Sequence, residues 1–277
     1  MITLFTTHRK PKPFVKWAGG KRQLVNALKK EIPKHFNRYI EPFVGGGALL
    51  FELMPQKAII NDINKELINA YLVIKENLGE LLIELRNHKN EHIYYYKIRA
   101  LKPEFLSEVK RASRFIYLNK TCFNGLYREN SKGEFNVPFG NYKNPKIVDK
   151  ENLESISEYL NSADIEIYNT DYKEVCYRAG RGDFIYFDPP YHPISKTSSF
   201  TKYTKYDFSE KEQIELSEIF RELDNRGCYL MLSNSNTEFI KALYKNYRIK
   251  ELEANRYISC KASGRKKSKI EILIKNF

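Results

Sequence analysis

The feature that most constrains this chain is a run of four apolar residues without polar alternation, Phe184-Ile185-Tyr186-Phe187, ended at once by Asp188-Pro189-Pro190-Tyr191. A strand with one wet face alternates polar and apolar residues. A strand that does not alternate is covered on both faces, as in a parallel sheet flanked by helices. Other short β-rich runs lie at Tyr39–Phe43, Ala58–Asn61, Ile165–Asn169, Tyr229–Leu232 and Ile270–Ile274, with helical patterns between them. The clearest helix spans 209–226. Ser209 and Glu212 form a capping box, Leu216, Ile219, Phe220 and Leu223 repeat at helical spacing, and Gly227 ends it. Alternating β and α elements predict an α/β fold with a mostly parallel sheet, its ligands beyond the carboxyl ends of the strands.

The middle of the chain breaks this alternation. From Leu78 to Cys122 the pattern is helical, with Val109, Ala112, Phe115, Ile116 and Leu118 on one periodicity. Turn signals at Asn124-Gly125, Lys132-Gly133 and Phe139-Gly140-Asn141 then follow among aromatic and basic residues. The stretch reads as an insertion between the second and third strands. The expected organisation is a catalytic domain of residues 1–77 and 162–277 and an inserted, mainly helical domain of residues 78–161 carrying a β-hairpin.

Charge suggests a partner. The net charge is +13, and it is concentrated: residues 1–37 hold nine Lys/Arg against one Glu, residues 111–150 eight against three acids, and residues 255–269 six against none. Localised positive charge suits a polyanion, because neutralised phosphates release counterions. Solvated surface lysine accounts for the charge equally well. There is no apolar run long enough to span a membrane and no hydrophobic stretch in Met1–Lys12 of the kind that opens a signal peptide. Cys122, Cys176, Cys228 and Cys260 are widely separated, with no zinc-ligand spacing. Reduced thiols in a cytoplasmic protein are expected.

Three motifs carry chemistry. In Glu41-Pro42-Phe43-Val44-Gly45-Gly46-Gly47-Ala48, a strand gives way to a helix through glycines that let a ligand approach the backbone. Asp62 ends the next strand, where a carboxylate can accept both hydroxyls of a ribose. A dinucleotide fingerprint would need a third glycine at position 50, which is Leu. The glycines as no more than a tight turn remain an alternative. In Phe14-Val15-Lys16-Trp17-Ala18-Gly19-Gly20-Lys21, a P-loop reading fails at Val15 and Arg22. What is left is an apolar face from Trp17 and a cation, Lys21, able to hold the carboxylate of a methionine moiety, although Trp17 also suits an ordinary core.

Asp188-Pro189-Pro190-Tyr191 is the third. The exocyclic amine of adenine is a poor nucleophile because its lone pair is delocalised into the ring. The Asp188 carboxylate and the Pro189 carbonyl can accept both amine hydrogens and free that lone pair for in-line attack on a sulfonium methyl group. The prolines, Pro189 and Pro190, hold the acceptors rigid. Tyr191 can stack on a base extruded from the duplex. Taken alone, the tetrapeptide is equally a strand-ending turn; after the glycine turn and Asp62, in that order, it is a strong signal.

With these motifs in this order, the chain resembles the Dam-type (α-group) N6-adenine DNA methyltransferases, including the DpnM-like GATC-specific restriction–modification methyltransferases. Resemblance extends to Asn61-Asp62-Ile63-Asn64, Asn124-Gly125-Leu126-Tyr127-Arg128 and Phe135-Asn136-Val137-Pro138-Phe139-Gly140, covering nearly the whole chain. It implies a Rossmann-like methyltransferase sheet, mostly parallel with a mixed edge, and S-adenosylmethionine as cofactor. The cofactor would meet Trp17, Gly19, Lys21, Pro42, Phe43, Gly45, Asp62, Asp171 and Asp188. The inserted domain becomes a target-recognition domain on double-stranded DNA, with contacts from Phe123, Asn124, Leu126, Arg128 and Pro138. The arginine matching Arg128 reads a guanine of GATC, in keeping with the bidentate fit of Arg to guanine. Phe123 stands where Dam has a tyrosine, which keeps stacking and loses a hydroxyl. The basic segment Lys261–Lys269 would track phosphate, or be a solvated loop.

A monomer is expected, and a restriction endonuclease of the same specificity is a candidate functional partner; restriction, mismatch-repair marking and phage defence all stay open as roles. No metal is expected: His88-Lys89-Asn90-Glu91-His92 matches a zinc spacing but lies in a polar stretch with no third ligand. A DNA-binding regulator that keeps the fold without catalysis, and an RNA or N4-cytosine methyltransferase, are the rival readings. The intact Asp188 and Tyr191 and the recognition hairpin favour adenine in DNA.

Overall fold

The computed structural model describes residues 9–194, 208–254 and 269–277. Seven strands form one sheet: β1 (Tyr39–Glu41), β2 (Lys57–Asn61), β3 (Asp164–Tyr168), β4 (Phe184–Phe187), β5 (Tyr229–Ser235), β6 (Arg248–Ala254) and β7 (Lys269–Lys275), in spatial order 3-2-1-4-5-7-6. The first five are mutually parallel. β7 runs antiparallel between β5 and β6, so the sheet is mixed at one edge. β1 ends at Glu41, before Pro42 and Phe43, because the chain turns there toward the glycines. Of the segment Lys261–Lys269, all but Lys269 lies outside the described residues, as do Met1–His8 and Cys260.

All four residues of β4 are buried, and they alternate between two cores. Phe184 and Tyr186 join one face with Tyr39, Ala58 and Ile60; Ile185 and Phe187 join the other with Ile40 and Ile59. Fully burying such a side chain contributes roughly 1.5–3 kcal/mol, enough to hold β4 at the sheet centre.

The second face is covered by α8 (Tyr172–Tyr177), α9 (Glu210–Asn225) and α10 (Glu238–Leu243). In α9, Ser209 and Glu212 make the reciprocal capping box read from the sequence, and Leu216, Ile219, Phe220 and Leu223 face inward.

On the first face lie α1 (Val25–Lys29), α2 (Ala48–Leu53) and α3 (Lys65–Glu76). The segment between β2 and β3 adds α4 (Leu78–Arg86), α5 (His92–Ala100), α6 (Glu108–Thr121) and α7 (Lys150–Ser162), whose apolar residues are continuous with the same core. An ion pair from Arg111 of α6 to Glu66 of α3, at 2.8 Å, ties the insertion to the sheet's own helix layer. His88 is packed in this layer. Its ring stacks on Tyr117 at 4.2 Å, and its nitrogens meet Tyr94 Oη and Ser113 Oγ. Burial lowers its pKa to about 4, so it is a neutral packing group.

Among the described residues, no helix is long and apolar enough to cross a membrane. Cys122, Cys176 and Cys228 are buried free thiols.

Candidate active site

The strand order reverses between β1 and β4, and the loops at their carboxyl ends flank one crevice, the usual ligand position of such sheets. The β1 loop is shaped by Gly45 and Gly47, at φ +50° and +72°. A Cβ on Gly45 would come within 2.6 Å of the Trp17 indole, and one on Gly47 within 2.6 Å of Tyr71 Oη. Glycine is therefore required twice, once for each close approach. Tyr71 Oη also donates to the Gly45 carbonyl at 3.1 Å.

Asp62, at the end of β2, accepts the Gly45 N–H at 3.0 Å and the Asn64 N–H at 2.9 Å. Burial raises its pKa to about 6, against the lowering effect of those two N–H groups. Neighbouring Asn61 is buried and stitches three loops together. It donates to the carbonyls of Pro42 (3.0 Å) and Thr170 (3.1 Å) and accepts the Thr170 N–H (3.0 Å). Its place at a strand end was visible in the sequence, but its partners were not.

Phe43 stacks near Tyr172 (5.0 Å) and Phe208 (5.8 Å), forming an aromatic wall beside the loop. Asp171 is the exposed N-cap of α8 and accepts the Lys173 N–H at 2.9 Å.

The segment before α1 closes the crevice from the first face. Trp17 lies against Gly45 and stacks on Tyr127 at 5.4 Å and 28°. Gly19, at φ +75°, turns the chain so that its carbonyl accepts from Lys21 Nζ at 2.7 Å. Lys21 is 4% exposed, and its ammonium lies 2.8 Å from Asp188 Oδ1 and 4.6 Å from the Tyr191 ring centroid. The sequence reading gave Lys21 the carboxylate of a methionine moiety; within the chain its ammonium pairs with Asp188.

Asp188 leaves β4 into the crevice. Burial raises its pKa, and Lys21 pulls it back. Behind it, Gln213 of α9 donates to the Pro190 carbonyl at 2.8 Å, and Asn234 of β5 donates to Gln213 at 3.0 Å. Asn234 also accepts the His192 N–H at 3.1 Å. Both amide side chains are fully buried. This relay takes up the Pro190 carbonyl and supports the loop on which Asp188 and the buried Pro189 stand. Tyr191 Oη donates to Glu271 of β7 at 2.9 Å. Sequence reading passed over Gln213, Asn234 and Glu271; an acid within the apolar run Ile270–Ile274 was the one available signal.

On the inserted segment, Phe123–Gly140 folds as a hairpin closed by the bridges Cys122↔Phe139 and Glu129↔Phe135. Phe123 is 46% exposed, and Arg128 and Pro138 are exposed beside it. Leu126 is half-buried, and Asn124 adopts φ +56° in the tight turn. Arg128 Nε donates to Asn136 Oδ1 at 2.7 Å, which holds the guanidinium at the hairpin surface. Asn119 of α6 joins the hairpin to the Trp17 segment: it accepts the Lys16 N–H (2.8 Å) and donates to the carbonyls of Lys16 (2.8 Å) and Gly125 (3.1 Å).

The crevice fits a nucleoside with a charged tail. It offers a loop with no room for a side chain at Gly45, a carboxylate fixed by backbone, an aromatic wall and a buried cation. Among the described residues no group of three or more His, Cys, Asp or Glu is placed to hold a metal.

Residues 17–258 match the family model described as D12 class N6 adenine-specific DNA methyltransferase. The chain is 49% identical over 272 residues to the Type II methyltransferase M1.LlaDCHI of Lactococcus lactis subsp. cremoris, covering 96% of this chain and 95% of that protein. It is 46% identical to the Type II methyltransferase M.MjaIII of Methanocaldococcus jannaschii, covering 96% and 99%. With the DNA adenine methylase of Escherichia coli K12 it shares 34% identity over 94% of this chain and 93% of the relative. The family match spans most of the chain, and both Type II relatives align over nearly their whole length: the protein belongs to the D12 class of N6 adenine-specific DNA methyltransferases.

Proposed function

We propose that this protein methylates N6 of adenine within GATC in duplex DNA, taking the methyl group directly from S-adenosylmethionine after the base has been flipped out of the helix. The observation that carries the reading is the adjacency of the Gly45–Asp62 cradle on β1 and β2 to the Asp188 loop on β4. Family membership implies S-adenosylmethionine as donor, and when bound it supplies an electrophilic sulfonium methyl. Asp62 would hold the ribose hydroxyls, Trp17, Gly19, Pro42, Phe43 and Gly45 would enclose the nucleoside, and Asp171 would meet its adenine.

Asp188 and the Pro189 carbonyl accept the two hydrogens of the target amine and draw its nitrogen toward tetrahedral geometry. Preorganised acceptors of this kind work without reorganising during the reaction. The amine is out of reach inside a duplex, so the base has to leave the stack, where Tyr191 receives it. Residues 78–161 form the recognition unit. Arg128 reads a guanine in the major groove, while Phe123, Asn124, Leu126 and Pro138 lie against the DNA. The enzyme acts as a monomer in the cytoplasm. The Type II names of its relatives support a partner restriction endonuclease of the same specificity.

The test is methylation of random-sequence duplex DNA with labelled cofactor, followed by nucleoside analysis and mapping of every modified position. The expected product is N6-methyladenine confined to GATC. N4-methylcytosine, or no product at all, would overturn the reading; N6-methyladenine in another sequence would remove only GATC.

A further inference from the structure

Glu271 is an acid in the otherwise apolar run between Lys269 and Lys275. A carboxylate taken out of water is costly unless it is hydrogen-bonded or paired, and here its side chain is 14% exposed. Its location follows from strand direction. β7 is antiparallel to β5, with Glu271 opposite Ser235, so the first residues of β7 lie at the carboxyl end of the parallel strands. That is the edge at which Asp188 leaves β4.

Glu271 Oε2 accepts the Tyr191 phenol hydrogen at 2.9 Å and lies 3.9 Å from Lys21 Nζ. A hydrogen bond to a carboxylate is roughly twice as strong as a neutral one. A tyrosine side chain turns about two bonds: a contact at the phenol oxygen fixes the first, and because the O–H prefers to lie in the ring plane, an acceptor there also favours one setting of the second. Tyr191 follows two prolines that constrain its backbone, so the phenol anchor acts on the remaining side-chain freedom.

We propose that Glu271 is a positioning residue for methyl transfer: by accepting the phenol hydrogen bond of Tyr191 it holds that ring at the angle on which the extruded base stacks. This rests on the function proposed above. Glu271 acts through Tyr191, the side chain it hydrogen-bonds.

The experiment compares wild type, Glu271→Gln, Glu271→Ala, Tyr191→Phe and the double variant Glu271→Ala/Tyr191→Phe. The substrate is a duplex containing one site mapped with the wild-type enzyme, together with a copy carrying 2-aminopurine at the target position. Glu271→Ala is expected to lower kcat about tenfold to a hundredfold, the scale of a misplaced reacting group, with the KM for cofactor unchanged. It should also alter the 2-aminopurine fluorescence of the bound duplex. Glu271→Gln keeps an acceptor oxygen and should restore most of the turnover. The double variant should be no slower than Tyr191→Phe, because the phenol is the route by which Glu271 acts.

Wild-type turnover by Glu271→Ala overturns the proposal. So does a double variant that loses the product of the two single losses, or a Glu271→Gln that melts like wild type yet is as slow as Glu271→Ala. Absence of adenine methylation by the wild-type enzyme would instead sink the functional reading, so the two failures are distinguishable.

Discussion

The ammonium of Lys21 lies 2.8 Å from the carboxylate of Asp188, so the cation of the Trp17 segment neutralises the acid of the β4 loop. Burial pushes the Asp188 pKa up, and Lys21 is the largest opposing influence. Substituting Lys21→Met removes that influence, so the carboxyl group should take up its proton at higher pH. The acidic limb of the kcat/KM profile is expected to move to higher pH, measured by methyl transfer across the neutral and acidic range. An unmoved limb would mean that Asp188 is not the group titrating in catalysis.

Asp188→Ala removes one of the two acceptors proposed for the target amine. The expected loss is on the order of a hundredfold or more in rate, with DNA affinity largely retained. Single-turnover methyl transfer and a DNA titration read the two effects separately. Near-normal turnover by the folded variant would place amine activation elsewhere.

The role proposed for Asp62, accepting the ribose hydroxyls, needs its carboxylate form, and burial raises its pKa to about 6. Cofactor affinity should therefore be full above that pH and fall as pH drops through it, approaching tenfold per unit where proton release must accompany binding. The sign for stability is the opposite. A carboxyl whose pKa is raised in the folded state costs stability as pH rises from its unfolded value toward 6, and that cost is absent in acid. Titration of S-adenosylmethionine from pH 5 to pH 8 by calorimetry tests the first statement. Asp62→Asn should bind weakly with a flat profile; a variant as pH-dependent as wild type would exonerate Asp62.

Arg128 stands exposed on the hairpin, steadied by Asn136. Arg128→Ala is expected to cost about 1–3 kcal/mol at one guanine of the target. Binding to cognate and single-substituted duplexes at several salt concentrations separates base reading from phosphate contact. A uniform loss with the sequence ratio intact would assign Arg128 to the backbone.

Asn119 joins Lys16 and Gly125 through three hydrogen bonds from a buried position. Asn119→Ala leaves backbone groups of both segments unpaired, with an expected cost of about 1–3 kcal/mol for each buried group left unsatisfied. Urea unfolding measures the loss. An unchanged midpoint would mean that these groups find other partners.

Much of the fold was legible because the signals are local. Burial on both faces leaves β4 without alternation, and the capping box of α9 lies within four residues. Gly45 is demanded by its own positive φ as well as by its neighbour. β6 was not anticipated. Arg248-Ile249-Lys250-Glu251-Leu252-Glu253-Ala254 is rich in good helix formers, and it is a strand because all seven residues pair with β7. Strand formation at an edge follows the partner more than intrinsic preference.

By itself, the sequence determined which residues stand at the strand ends. Asp62, Asp188 and the glycines are tied to elements whose period and termination are written within a few neighbouring residues. Only the tertiary structure decided which of them meet. Lys21 reaches Asp188, Glu271 reaches Tyr191 and Trp17 stacks on Tyr127 because strand order and the reversed direction of β7 bring distant segments to one edge. Those pairings depend on sheet topology and on packing across the core, and no local pattern of residues encodes the distance between two strand ends.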